Sequence, residues 1–132
     1  MLGWAAGLMF APLAVQAEES PLAAQMETVA GVVKSLRNET DSAKGSAAAR
    51  EAQDAVLKAI PMLPATVTRL TDAAAKAKAA ADYRLMLGKL YVAFCEVEQA
   101  YLANDAARIT AAKNALQTLK KEGHAKFMDD ED

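Results

Sequence analysis

The sequence has few of the side chains that build catalytic centres. It contains one cysteine, Cys95, and one histidine, His124. A single cysteine cannot form a disulfide within the chain, and no Cys-x-x-Cys-His pattern for covalent haem attachment occurs. A glycine-rich phosphate loop and a paired metal motif are also missing from the sequence. We therefore expect a protein that is not an enzyme.

Aromatic residues, glycine and proline are scarce as well. The chain of 132 residues has 5% aromatic residues, six glycines and four prolines, too few for a turn-rich β-sandwich. Its 53% hydrophobic and 24% charged residues are typical of one globular domain. The net charge of −2, with both signs mixed, provides no basic stripe for a nucleic acid. The composition thus predicts a single all-α domain with no nucleic-acid partner.

The first 17 residues carry no charged side chain and are followed at once by Glu18 and Glu19. An apolar run ending in Val15-Gln16-Ala17 is typical of a secretory signal peptide cleaved after Ala17. Signal peptides usually have a lysine or arginine before the apolar run, and none is present here, so one interpretation is that the given sequence lacks the first residues of the signal peptide. The alternative is a short buried helix, because 17 residues are marginal for a membrane span. We expect export to the periplasm, with no stable membrane insertion after cleavage.

Apolar residues spaced by three and four predict amphipathic helices along the remainder of the chain. Ser20-Pro21 is a typical helix start, and a second, alanine-rich helix runs from about Ala43 or Ser46 to Ile60. A third helix follows Asp82, and a fourth begins at Asn104 or Asp105 and ends at about Phe127. The apolar positions of the first, third and fourth helices are Leu22, Met26, Val29, Val33 and Leu36; Tyr83, Leu87, Leu90, Phe94, Val97 and Tyr101; and Ile109, Ala112, Leu116 and Leu119.

Residues 66–81 have strong helix propensity but a weak apolar stripe, so a helical lead-in and a mobile connector both remain open. Four helices with short connections favour an antiparallel up-down-up-down four-helix bundle. We expect it to span residues 18–127, followed by an acidic disordered tail over 128–132. In that topology Met26, near the start of the first helix, and His124, near the end of the fourth, lie at the same end.

Several short motifs resemble the soluble periplasmic cytochrome b562 family. They are Leu22-x-x-x-Met26-Glu27-Thr28, Pro64 after the second helix, the turn Leu102-Ala103-Asn104-Asp105, and His124 in the last helix. The resemblance covers roughly residues 20–127. It implies a four-helix bundle that binds one non-covalent haem b and transfers electrons.

The same resemblance implies which residues hold the haem. Met26 and His124 correspond to the axial ligands, Lys120 is placed to pair with a propionate, and Tyr83 and Leu87 line the pocket wall. Departures from the family lie close by: Gly123 stands where a tyrosine is usual, Leu87 where an aromatic residue is common, and the C-terminal end is acidic rather than basic. The implied partner is a redox protein, and the acidic end favours a basic one.

A second hypothesis belongs to a different class. An exported four-helix protein of the same lineage could lack haem and serve as an interaction or structural module. Methionine in a helix seam is usually core filler, and a histidine near a helix end is usually a surface residue. In both hypotheses we expect a monomer.

Overall fold

The computed structural model describes residues 20–128. The expected signal peptide, residues 1–17, and residues 129–132 of the expected acidic tail lie outside the described residues. Within residues 20–128 the chain is helical with no strand, which confirms the prediction of an all-α fold. The helices are α1 (Pro21–Leu36), α2 (Ser42–Ala59), α3 (Ala65–Thr68), α4 (Ala73–Leu102) and α5 (Ala106–Phe127).

Each of the four long helices begins at a side chain that caps its free N–H groups. The cap oxygen accepts a hydrogen bond from the backbone N–H three residues later. The four caps are Ser20, Asp41, Asp72 and Asp105. The predicted start at Ser20-Pro21 is confirmed, and of the two candidates for the last helix Asp105 is the cap. Asn104 instead takes a left-handed φ of 53° and reverses the chain between α4 and α5.

The third long helix begins earlier than the sequence predicts. α4 starts at Ala73, whereas the apolar stripe suggested a start after Asp82. The Asp72 cap and the alanine-rich sequence extend the helix over a stretch with little to bury. An ion pair between Lys78 and Asp82, at 3.0 Å, supports this exposed stretch, and the hydrogen bond from Lys78 lowers the pKa of the Asp82 carboxyl.

The connector before α4 contains a helix that the sequence did not predict. α3 is a single turn that follows Pro64, and the described residues therefore contain five helices rather than four. A proline cannot continue a helix such as α2, but Pro64 is compatible with the start of a new one. The open question about residues 66–81 is resolved in two parts, a short helix and then a helical lead-in to α4.

α2 and α4 form the central pair and run in opposite directions. Four hydrogen bonds join them along their length. Ser42 Oγ donates to the Tyr101 carbonyl (2.6 Å), and the Tyr83 hydroxyl donates to the Ala59 carbonyl (2.9 Å). Between these, Gln53 Nε2 donates to the Phe94 carbonyl (3.3 Å) and to Oε1 of Glu98 (2.9 Å). The buried face of α2 is mostly small, with Ala49, Ala52, Ala55 and Ala59 in the core. Small side chains let the α4 backbone come close, and the larger residues of α4 fill the interior.

α1 packs along α2, and α5 packs along α4. α1 and α5 are not among the helix pairs of the described residues that pack closely along their backbones. Their side chains nevertheless reach one common core: Leu22 and Met26 from α1, and Leu116, Leu119 and Phe127 from α5. Among the described residues, no helix combines the length and the apolar character needed to cross a membrane.

Candidate functional site

Met26 lies in the second turn of α1, on the side of the helix that faces the core. The Ser20 cap and Pro21 fix the start of the helix, and the step of three from Met26 to Val29 keeps both side chains on one face. Val29 is 8% exposed, whereas Met26 is only partly buried and packs against the edge of the core. Its thioether thus lies at the boundary between the apolar interior and the surface.

His124 lies near the end of α5 and is exposed. Its carbonyl oxygen accepts a hydrogen bond from the N–H of Met128, which ends the helix. Within residues 20–128 no hydrogen bond or ion pair to the imidazole is found. Lys120, one turn earlier, is partly buried, and it too forms no ion pair within the described part of the chain.

Tyr83 and Leu87 lie in the core itself. Tyr83 is 4% exposed and Leu87 is 5% exposed, and both belong to the main apolar cluster. The Tyr83 hydroxyl donates to the carbonyl of Ala59, and burial raises the pKa of this phenol to about 12. Because this hydroxyl already has a partner, Tyr83 offers a bound ligand only the apolar surface of its ring.

Phe127 is a residue of this region that the sequence reasoning missed. Its ring meets that of Tyr83 edge to face, with the centroids 5.5 Å apart. Its carbonyl accepts a hydrogen bond of 2.9 Å from the hydroxyl of Thr66 in α3. These contacts hold the last turn of α5 against α3 and α4, and His124 lies in that turn. The sequence signal for this contact is that Phe127 is an aromatic residue at the end of an otherwise polar segment.

The two edges of α5 have different surroundings. Arg108, Ala111 and Ala115 follow one edge in steps of three and four, and they line a groove between α5 and α4. Lys113, Lys120 and His124 follow another edge in steps of seven and four, away from that groove. The candidate ligand His124 therefore lies on the edge of α5 away from this groove, the same edge on which the Lys113 ammonium lies 5.5 Å from the centroid of the Tyr101 ring.

Gly123 is compatible with the last turns of α5. A Cβ added at this position would lie 3.7 Å from Cγ of Met86, which is an ordinary van der Waals separation. The glycine is therefore not required for close packing here. Its main effect is the conformational freedom that it gives to the turn carrying His124.

The structure brings only some of the predicted site residues together. Tyr83 and Leu87 belong to the core against which Met26 packs. His124, which is exposed, and Lys120, which is partly buried, lie outside that core on one edge of α5. Residues 20–128 contain no group of three or more His, Cys, Asp or Glu side chains arranged to hold a metal ion. Cys95 is a partly buried free thiol, and its negative charge when ionised raises the pKa of the Tyr91 phenol.

Comparison with known proteins gives no match: no family model, no curated protein and no solved structure is similar to this chain.

Proposed function

We propose that this protein binds one non-covalent haem b, with Met26 and His124 as the axial ligands, and transfers electrons. The proposal takes the four long helices as an up-down-up-down bundle. Three features support that topology: the opposite directions of α2 and α4, the close packing of α1 on α2, and the short turn between α4 and α5.

In this topology the two ligands occupy the same end of the bundle. Met26 is in the second turn of α1 and His124 is near the end of α5. The side chains of a helix lean toward its N-terminus, so in two antiparallel helices they lean in opposite directions along the axis. The lean of Met26 and that of His124 therefore favour their approach to a shared ligand.

The observation that carries the proposal is the relation between α1 and α5. These two helices reach the same core through side chains but do not pack closely along their backbones. Neighbouring packed helices have axes about 8–10 Å apart, and a flat ligand between two helices needs more room than that. The proposed ligands lie on the first and the last of the long helices, which would be neighbours in an up-down-up-down bundle but are not among the closely packed pairs of the described residues.

The donor chemistry of the two residues fits haem iron. A thioether and an imidazole are an established axial pair, and the thioether raises the reduction potential. His124 is the only imidazole of the chain and has no hydrogen-bond partner among the described residues. Met26 supplies its sulfur from a partly buried position, where water has limited access.

Bound haem would supply reversible one-electron exchange. With Met26 and His124 both bound to the iron, no position would be open for oxygen or a substrate, so these residues favour a carrier over an oxygenase. The role of Leu87 and the Tyr83 ring is to provide an apolar wall, and that of Lys120 is to pair with a propionate. The redox partner, its basic surface and the periplasmic location belong to the same proposal.

An absorption spectrum of the full chain with added haemin tests the proposal. We expect a red protein with the split bands of a low-spin, six-coordinate haem. Met26→Leu should give a five-coordinate, high-spin spectrum, and His124→Ala should nearly abolish binding. Met62→Leu is the matched control, because Met62 is also partly buried but lies outside the long helices. A colourless protein that ignores haemin would overturn the proposal in favour of the haem-free interaction module.

A further inference from the structure

The outer face of α4 is apolar where a solvated helix is normally polar. Leu85 is 59% exposed and Val92 is 55% exposed, and they are seven residues apart on one face. Gly88 lies between them, and a Cβ added to it would have no atom within 4 Å, so the backbone there is open. The opposite face of α4 carries Phe94 and Val97, both fully buried, so the outer residues have no partner in the core.

This apolar surface continues across to α5. Leu85, Gly88 and Val92 line one side of an open groove, and Ala115 and Leu119 of α5 line the other. Gly88, Ala93 and Ala115 are the small residues of its lining, and beside them another helix could approach closely. Single exposed apolar residues are ordinary on protein surfaces, but a continuous patch marks a candidate contact surface.

Three charged residues, Arg84, Lys89 and Glu96, line the groove, and the last two form a pair of opposite charges on one face. Lys89 and Glu96 both line the groove, are exposed and form no ion pair within residues 20–128. They are seven residues apart, with Val92 and Ala93 midway between them. When two such helices are related by a two-fold axis that passes between them at this midpoint, each Lys89 faces Glu96 of the other copy. The charge pattern is therefore self-complementary in an antiparallel arrangement.

We propose that the outer face of α4, formed by Leu85, Gly88, Lys89, Val92 and Glu96, is a symmetric dimer interface for a second copy of this chain. The two α4 helices cross antiparallel, with Val92 near the two-fold axis and a Lys89–Glu96 ion pair on each side. This replaces the expectation of a monomer and does not depend on whether haem is bound.

The charges distinguish this occupant from the apolar N-terminal segment of the same chain. Residues 1–17 contain no charged side chain and would leave Lys89 and Glu96 without partners. A parallel pairing of two α4 helices is also disfavoured, because it would place Lys89 beside Lys89 and Glu96 beside Glu96. Only the antiparallel pair satisfies both charges and covers Leu85 and Val92.

Sedimentation velocity of the full chain over a range of concentrations tests the dimer. We expect a reversible dimer that is weakened at high salt. Lys89→Glu and Glu96→Lys should each raise the dissociation constant at least tenfold, since each turns two attractions into two repulsions. The double variant with both changes should dimerise like the original chain. A mixture of the two single variants should form a heterodimer, because each then supplies the charge that the other lacks.

A second pair of variants tests the apolar part of the surface. Val92→Glu should abolish the dimer, because it places two carboxylates near the two-fold axis. Leu57→Glu is the matched control, since Leu57 is 50% exposed but lies on α2. A monomer at every concentration, or a dimer that survives Val92→Glu, would overturn the proposal. A third outcome would also overturn the proposal. If the chain is a monomer and the α4 amides lose hydrogen-exchange protection when residues 1–17 are removed, that segment covers the α4 surface instead of a second copy.

Discussion

The aromatic ring of Tyr101 occupies the space that a side chain at Gly45 would need. A Cβ added to Gly45 would collide with three carbons of this ring. The Tyr101 hydroxyl donates a hydrogen bond to the carbonyl of Glu39 (2.8 Å). The backbone carbonyl of Tyr101 accepts a hydrogen bond from the Ser42 hydroxyl (2.6 Å). Tyr101 is therefore anchored at its hydroxyl and at its backbone, which limits how far the ring can move away. Gly45 and Tyr101 together fix the start of α2 against the end of α4.

Gly45→Ala should therefore destabilise the fold, although alanine is the better helix former. The added methyl group forces the ring or the α2 backbone to shift, and overpacking of this kind costs about 1–3 kcal/mol. The measurement is the free energy of unfolding from chemical denaturation.

Gly31→Ala is the matched control for this change. Gly31 also lies inside a helix, but no atom lies within 4 Å of an added Cβ. This control should stabilise the protein by about 0.5–1 kcal/mol. If Gly45→Ala stabilised the protein to the same degree, the close approach of Tyr101 would not be a constraint.

Gly123→Ala tests whether the glycine in the last turns of α5 has a structural requirement. The nearest atom to the added Cβ is Cγ of Met86 at 3.7 Å, so the methyl group fits without a shift. We expect stabilisation of about 1 kcal/mol from helix propensity. With haem bound, the stiffer turn should also hold His124 more firmly and slow haem release. A loss of stability in chemical denaturation would show that the glycine is needed for packing.

The sequence predicts the amphipathic helices well because their signal is local. The three-and-four spacing from Leu22 to Leu36, and the cap at Ser20, depend only on neighbouring residues. The predicted start of α4 was wrong because the prediction relied on an apolar stripe. The residues from Ala73 to Asp82 form a helix through propensity and capping, and they carry no such stripe. The single turn of α3 is too short to carry a periodic pattern.

The long-range contacts could not be predicted in the same way. The approach of Tyr101 to Gly45 and the bond from Thr66 to the Phe127 carbonyl join residues more than 50 positions apart. Such contacts depend on how whole helices pack against each other, and this packing leaves no pattern among neighbouring residues of the sequence. The pairing of Met26 with His124 is of this kind and stays a prediction.

The buried phenol of Tyr83 should make the stability of the protein depend on alkaline pH. Burial raises its pKa from 10.0 to about 12, so the folded state holds this proton more tightly than the unfolded state. The stabilisation is complete below about pH 10 and is lost as the pH rises toward 12. Unfolding free energies of the original chain should therefore fall across this interval.

Tyr83→Phe is the comparison that isolates this group. The variant should lose about 1 kcal/mol near neutral pH, because the hydrogen bond to the Ala59 carbonyl is removed. The difference in stability between the two proteins should then shrink between about pH 10 and 12, since only the original chain has this phenol to ionise. A constant difference over the interval would mean that Tyr83 keeps an ordinary pKa in the folded protein.

The acidic C-terminus should lower the reduction potential if haem is bound as proposed. Residues 129–132 are Asp-Asp-Glu-Asp and directly follow the segment that carries His124. Their negative charges favour the ferric form, which carries one more positive charge than the ferrous form. Removing these four residues should raise the midpoint potential in a spectroelectrochemical titration. Replacing them by Asn-Asn-Gln-Asn should raise it similarly while keeping the chain length, and added salt should reduce both effects. An unchanged or lower potential in both variants would show that these charges do not act on the iron.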